Sequence, residues 1–220
     1  GNQPAVTLLL ASAFARARET SDALALESCV DLLDALARQD ASVSLLSKGA
    51  TSGPQAELAS DYDRLVESAG ALLADDTAAP ASRTASAALL ARVEGRRGEA
   101  IAFLAGRLTG GAPVEEVAEA LDALAGTGDD RVPTLVLAAW PGFDRDGKAR
   151  AVDRILSRAS WAMQLLDAVA AGSIATNDID PMRRSRLLRH PDGAVREAAA
   201  VRLGAGSSPD RAKVIETYSP

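Results

Sequence analysis

The sequence predicts an all-α fold in which helices follow one another as stacked pairs. Alanine, the strongest helix former, supplies 47 of the 220 residues. Stretches rich in β-branched and aromatic residues, which are typical of strands, are nearly absent, and aromatic residues make up 3% of the chain. Amphipathic helical stretches alternate with short segments of proline, glycine and aspartate. We therefore expect about eleven helices in five or six pairs.

The first third of the chain contains three predicted helices. The first spans 4–18, the second follows Ser21 as its predicted cap, and the third follows a predicted loop at 47–54. The apolar faces of the first two consist of Val6, Leu9, Leu10, Ala13 and Phe14, and of Leu26, Cys29, Val30, Leu33 and Ala37. The spacing of three and four residues within each set indicates one buried helix face.

Proline and aspartate mark regular helix starts in the rest of the chain. Pro80, Pro113 and Pro181 each stand at a predicted helix start, 33 and 68 residues apart, and Asp180 is a predicted cap. A period of roughly 31 to 37 residues with two helices is typical of helical solenoids. Such pairs bury their apolar faces against the next pair, so we predict one domain over 1–220, a right-handed α-α superhelix, with 1–54 as a possible N-terminal cap.

The stretch RLLRHPDGAVREAAAVRLG, residues 186–204, contains the only histidine. Pro191 suits a first helical position, which places His190 at a corner between two helices. A single imidazole rarely makes a metal site, so we predict a structural role. The phrase resembles the second helix of a HEAT-type repeat through its signature residues Asp192, Val195 and Arg196. In that family such residues make contacts between repeats.

Charge is distributed unevenly along the chain. The total is −6, whereas residues 181–220 carry +4 and the remainder −10. The overall acidity argues against general nucleic-acid binding, and the dipolar layout suits docking of a neighbour at the basic end. The predicted docking residues are Arg183, Arg184, Arg186, Arg189, Arg196, Arg202, Arg211 and Lys213.

No motif in the sequence indicates chemistry. Cys29 lies on an apolar helix face as a small buried residue, and Trp140 and Trp161 are predicted space-filling wedges. The glycine-rich segments lack the lysine of a phosphate loop, and no nucleophile motif or apolar run of about 20 residues is present. We therefore predict no catalytic, cofactor-binding or metal-binding residues, no nucleic-acid partner and no membrane span.

The C-terminal 65 or so residues resemble a segment of planctomycete-type multidomain haem-binding proteins. The resemblance rests on Trp161, Leu165, Leu166, Ala171-Gly172, the RLLRHPD corner and SSPDRAKVIETY before Pro220. These proteins join a β-propeller, a HEAT-like (PBS-lyase-type) helical region and a c-type cytochrome domain. The resemblance implies a non-enzymatic scaffold or interdomain spacer in a periplasmic or otherwise exported bacterial protein. It also implies that 205–220 lead to a downstream domain that carries the haem-attaching Cys-x-x-Cys-His, which is absent from this sequence.

Two other functions stay open from the sequence. A HEAT-like DNA-repair glycosylase would need a basic concave surface, which the charge of −6 opposes and the +4 end favours. A HEAT-like prosthetic-group lyase or chaperone would need a deep apolar pocket with converging polar groups.

Overall fold

The computed structural model describes residues 3–38, 52–109 and 111–204. The described chain is 78% helical, without strands, which confirms the all-α prediction. Clustering of contacts divides the chain into two compact units, 1–107 and 108–220. The assignment of 1–220 to one domain stays a prediction. Residues 205–220, which the resemblance implies lead to a downstream domain, lie outside the described residues. Within the described ranges, no helix combines the length and apolar character needed to cross a membrane.

Eleven α-helices occupy the described ranges. The first unit contains α1 (Gln3–Thr20), α2 (Ala23–Ala37), α3 (Pro54–Ala74), α4 (Pro80–Leu90) and α5 (Arg97–Arg107). The second unit contains α6 (Val114–Thr127), α7 (Val132–Ala139), α8 (Arg145–Ile155), α9 (Ala159–Ala170), α10 (Pro181–Leu188) and α11 (Gly193–Gly204). Two short 3-10 helices, Trp140–Gly142 and Thr176–Asp178, follow α7 and precede α10.

Two predicted helix starts are displaced by one residue. Asp22, not Ser21, caps α2, because its carboxylate accepts the N–H of Ala25 while Ser21 takes a left-handed turn with φ of 51°. Pro113 is the cap residue of α6 and not its first helical residue, with extended backbone at ψ 147°. Asp180 caps α10 as predicted and accepts the N–H of Arg183 at 3.0 Å.

In the first unit, α1 packs on α2 and α3, while α4 packs on α2, α3 and α5. Two ion pairs join these helices. Arg18 of α1 binds Asp61 of α3 at 3.0 Å. Arg92, which follows α4, forms a bidentate ion pair with Asp34 of α2 at 2.7 and 2.6 Å. The predicted cap at 1–54 thus contributes two helices that pack directly on α3 and α4, while residues 39–51 lie outside the described chain.

Small residues let α4 lie at the centre of the first unit. Its buried set consists of Ser82, Thr84, Ala85, Ser86, Ala87, Ala88, Leu89 and Leu90. Because most of these side chains are alanine or serine, neighbouring helices can approach from several sides. The Cys29 thiol of α2 is also fully buried, as predicted, and donates to the carbonyl of Ala13 at 3.5 Å. Burial raises the pKa of the Cys29 thiol to about 11, which keeps it protonated and unreactive near neutral pH.

In the second unit, the helices form three successive hairpins, and corresponding helices of neighbouring hairpins pack on one another. We call this arrangement like-on-like packing. The first helices of the hairpins contact in the order α6, α8, α10, and the second helices in the order α7, α9, α11. Trp161 of α9 is fully buried, and Trp140 at the end of α7 is 3% exposed. Both tryptophans therefore fill space between helices, as predicted.

Replacing Ser86 with alanine should stabilise the first unit. The Ser86 side chain is fully buried, and its hydroxyl has no hydrogen-bond partner among the described residues. Removing an unsatisfied buried hydroxyl and gaining helix propensity should together raise the free energy of unfolding by about 1 to 2 kcal/mol. Urea unfolding followed by circular dichroism measures the change.

The matched control is Ser12→Ala in α1, where the serine is exposed and only helix propensity changes. Its gain should stay within about 0.5 kcal/mol. Equal gains for the two variants, or a loss for Ser86→Ala, would contradict the packing described for α4.

Candidate functional site

The turn between α10 and α11 is built by His190, Pro191 and Asp192. The N–H of His190 donates to the carbonyl of Leu187, and Pro191 has no N–H to leave unpaired. Asp192 caps α11, since its Oδ1 accepts the N–H of Val195 at 3.1 Å. His190 is thus a helix-corner residue, as predicted. The prediction of Pro191 at the first helical position is wrong, because Asp192 caps the helix and α11 begins at Gly193.

The His190 ring takes part in the hydrogen bonding of this corner. The residue is 9% exposed, and its Nδ1 accepts the backbone N–H of Asp192 at 3.1 Å. A nitrogen that accepts carries no proton, so in the neutral ring the proton resides on Nε2. The Nε2–H group is therefore the ring donor left for a ligand.

The three signature residues hold their own hairpin together. Arg196 donates from Nη1 to the carbonyl oxygens of His190 and Pro191, both at 2.7 Å. Val195 is fully buried, and Asp192 serves as the cap. The guanidinium of Arg196 therefore fastens the corner to the first turns of α11. The contacts between repeats that the resemblance implies for these residues stay a prediction.

Two predicted docking residues, Arg183 and Arg186, both bind Asp153 of α8. Arg183 is 14% exposed and also donates to Asp180 at 2.6 Å, so its charge is engaged on two sides. We call Asp153 with Arg183 and Arg186 the α8–α10 bridge. The positive charge of Arg183 is thus directed inward, whereas Arg186 pairs with Asp153 and still leaves 51% of its side chain exposed to solvent.

A second bridge of the same kind joins α6 and α8. Asp122 accepts from Arg154 at 2.6 Å and from Arg150 at 3.1 Å. Asp122 and Asp153 each lie eight residues after the start of their helix. We call Asp122 with Arg150 and Arg154 the α6–α8 bridge. The sequence analysis did not predict either bridge. A signal was present, because the two aspartates are 31 residues apart and the first helix of the following hairpin carries a pair of arginines in each case.

The remaining predicted docking residues differ in their surroundings. Arg202 of α11 binds Asp167 of α9 at 2.5 Å. Arg184 is half-buried, whereas the side chain of Arg189 is exposed and forms no hydrogen bond or ion pair with the described residues. Arg211 and Lys213 lie outside the described residues. The prediction that all eight form one docking surface stays a prediction.

An open groove of about 860 Å³ lies beside the corner. We call it the corner groove; its lining residues are Leu156, Ser157, Ala159, Met182, Ser185, Arg186, Arg189, His190, Pro191 and Asp192. One wall is the turn after α8, and the other is the face of α10 and the corner that follows it. The groove combines apolar side chains with two guanidinium groups and can therefore accommodate a ligand with both apolar and anionic parts.

A smaller cavity of about 540 Å³ lies near the start of the second unit. Its apolar wall includes Val117 and Leu121 of α6 and the buried Phe143. The polar side chains that line it are those of Thr109, Asp146, Arg150 and Asp144, whose carboxylate caps α8 through the N–H of Gly147. Because Asp144 and Arg150 already serve the cap and the α6–α8 bridge, the cavity is mainly an apolar pocket.

A polar cluster links the end of α7 to the segment before α10. Asp178 accepts from Nε1 of Trp140 at 3.2 Å and pairs with Nζ of Lys148 at 3.1 Å. The hydrogen bond from Trp140 and the cation of Lys148 hold the pKa of Asp178 below its usual value. Partial burial opposes ionisation of Asp180, but the hydrogen bonds from Arg183 outweigh it and lower the pKa of Asp180.

Comparison with known proteins identifies no relative of this chain. No family model, no curated protein and no solved structure matches the chain significantly.

The free energy of unfolding should decrease as the pH is lowered, and part of this decrease should depend on Asp178. A folded-state pKa below the ordinary value of 3.8 means that ionisation favours the folded state. This contribution is complete above the ordinary value and is lost as the pH falls from there through the lower folded-state pKa. We expect the free energy of unfolding to decrease between pH 5 and pH 3, and to decrease less in Asp178→Asn. Urea titrations at each pH provide the measurement.

Trp140→Phe is the matched variant, since it keeps the ring and removes the N–H that reaches Asp178. It should flatten the same part of the pH profile, and the double variant should add little. An unchanged profile in Asp178→Asn would show that this cluster does not contribute to acid sensitivity.

Proposed function

We propose that the chain is a non-enzymatic helical-repeat scaffold, built from degenerate pairs of the HEAT or armadillo-like kind. The observation that carries the proposal is the like-on-like packing of α6 on α8 on α10 and of α7 on α9 on α11. In helical-repeat proteins each pair contacts its neighbours in this manner and buries an apolar face that it cannot bury alone. A right-handed superhelix of these pairs is part of the proposal.

The bridges support the repeat interpretation independently of apolar packing. In the first helices, one aspartate binds two arginines of the next first helix, and this occurs twice in succession. In the second helices, Asp167 of α9 binds Arg202 of α11. Equivalent polar contacts at equivalent helix positions are expected when one structural unit is repeated along a chain.

The proposed mechanism is geometric. A stack of hairpins holds neighbouring modules at a defined spacing and offers them an extended surface. Arg189 is the predicted docking residue that is most free to meet a partner, because it is exposed and its side chain has no partner among the described residues. The partners would be flanking domains of the same chain or another protein.

The biological context of this proposal comes from the resemblance of the C-terminal segment. It supports an interdomain spacer or protein-interaction module in an exported, haem-containing redox protein. The c-type haem would be attached in a downstream domain, and the residues of this chain would serve to position that domain.

The test compares the 220-residue chain with the complete product of the natural gene. The proposal predicts covalently bound haem in the complete product and greater hydrogen-exchange protection of α10 and α11 than in the chain alone. Absence of haem would overturn the redox context, and unchanged protection of α10 and α11 would overturn docking at this end. The amides of α1 and α2, remote in sequence from the basic end, are the internal control.

A further inference from the structure

We propose that the corner groove binds a short acidic peptide segment that carries an apolar side chain. The inference rests on the proposed scaffold function and names the partner chemistry at its basic end. It follows from the exposed apolar surface, the orientation of two arginines and the donors that remain unused at the corner.

The groove exposes apolar surface that a partner could cover. Met182, on α10, is 60% exposed, and the half-buried Ala159 and the buried Leu156 line the same groove. Methionine adapts to side chains of different shape, and covering such surface is favourable by about 25 cal/mol per Å². An apolar side chain of the partner would therefore lie against Met182.

Positive charge lines the same face of α10. Met182, Ser185, Arg186 and Arg189 follow one another at spacings of three, one and three residues, which places them on one side of the helix. One guanidinium nitrogen of Arg186 pairs with Asp153, and 51% of the side chain is exposed. Its other N–H groups are therefore free to bind a partner. Together with the unpaired Arg189, it offers two guanidinium groups that suit carboxylates.

Neutral donors add to this charge at the end of α10. The Nε2–H of the largely buried His190 and the hydroxyl of Ser185 belong to residues that line the groove. Asp192 also lines the groove, and its Oδ1 is engaged in capping α11. The groove therefore attracts anions at Arg189 and repels them at Asp192, which favours a short segment with a localised charge over a long polyanion such as a nucleic acid.

The size of the groove agrees with a peptide segment. Its volume of about 860 Å³ lies in the upper part of the range of roughly 300 to 1,000 Å³ that is usual for ligand sites. A single inorganic anion would leave Met182 uncovered, whereas a peptide with alternating acidic and apolar residues contacts both kinds of surface.

The test uses three fluorescein-labelled peptides of equal length and fluorescence anisotropy. The first repeats Glu-Glu-Leu, the second Lys-Lys-Leu and the third Glu-Glu-Ser. We expect the Glu-Glu-Leu peptide to bind the 220-residue chain most tightly, with affinity falling as salt rises. Arg189→Glu should weaken its binding about tenfold, and Met182→Ser about threefold.

The control is Arg16→Glu, the same charge change at an exposed arginine of α1, which should alter the affinity less than about twofold. Circular dichroism verifies that each variant is folded. The proposal is overturned if Arg189→Glu has no larger effect than Arg16→Glu, or if the Lys-Lys-Leu or Glu-Glu-Ser peptide binds equally well. It is also overturned if inorganic phosphate binds at Arg189 while the Glu-Glu-Leu peptide does not. The two proposals can fail separately. If the peptide test gives one of these results while the complete product contains haem and shows increased protection of α10 and α11, the peptide proposal is rejected and the scaffold proposal stands.

Discussion

In the second unit, each helix hairpin packs against the next hairpin and buries apolar side chains there, and the order in which the helices contact one another follows from this packing. Aromatic residues are scarce, so alanine, leucine and valine supply most of the buried surface. Small side chains contribute little area each, and close approach of the helices compensates for this. The like-on-like order of α6, α8 and α10 is one way to bring such faces together repeatedly.

Charged residues connect the same neighbours that the apolar faces join. Asp122 and Asp153 each bind a pair of arginines on the next first helix, and Asp167 binds Arg202 between second helices. Ion pairs at a surface contribute modestly to stability, so these pairs add to contacts that the apolar faces already make between the same helices. This use of arginine also explains why the basic end offers fewer free cations than its composition indicates. At Arg189 and the outer part of Arg186, positive charge is still directed to solvent, and these residues line the corner groove.

The sequence was sufficient to predict elements whose cause is local. The all-α class, the cap at Asp180 and the corner at His190 follow from helix propensity, side-chain capping and proline geometry, which act within a few residues. Ser21 and Asp22 show the limit of this reasoning, because both residue types cap helices and only the backbone decides between them. The bridges were not predicted, since they depend on which helices become neighbours. The groove was missed for the same reason, as its walls are brought together by the packing of α10 beside the turn after α8.

A double-mutant cycle between Asp153 and Arg183 tests the stacking of α8 and α10 most directly. Asp153→Ala, Arg183→Met and the double variant would be compared with the unaltered chain by urea unfolding. If the helices are neighbours as described, the coupling free energy should be about 0.5 to 3 kcal/mol, as for other residues in contact. Additive effects, with coupling below about 0.3 kcal/mol, would show that the two side chains do not meet and would contradict the stacked-hairpin arrangement.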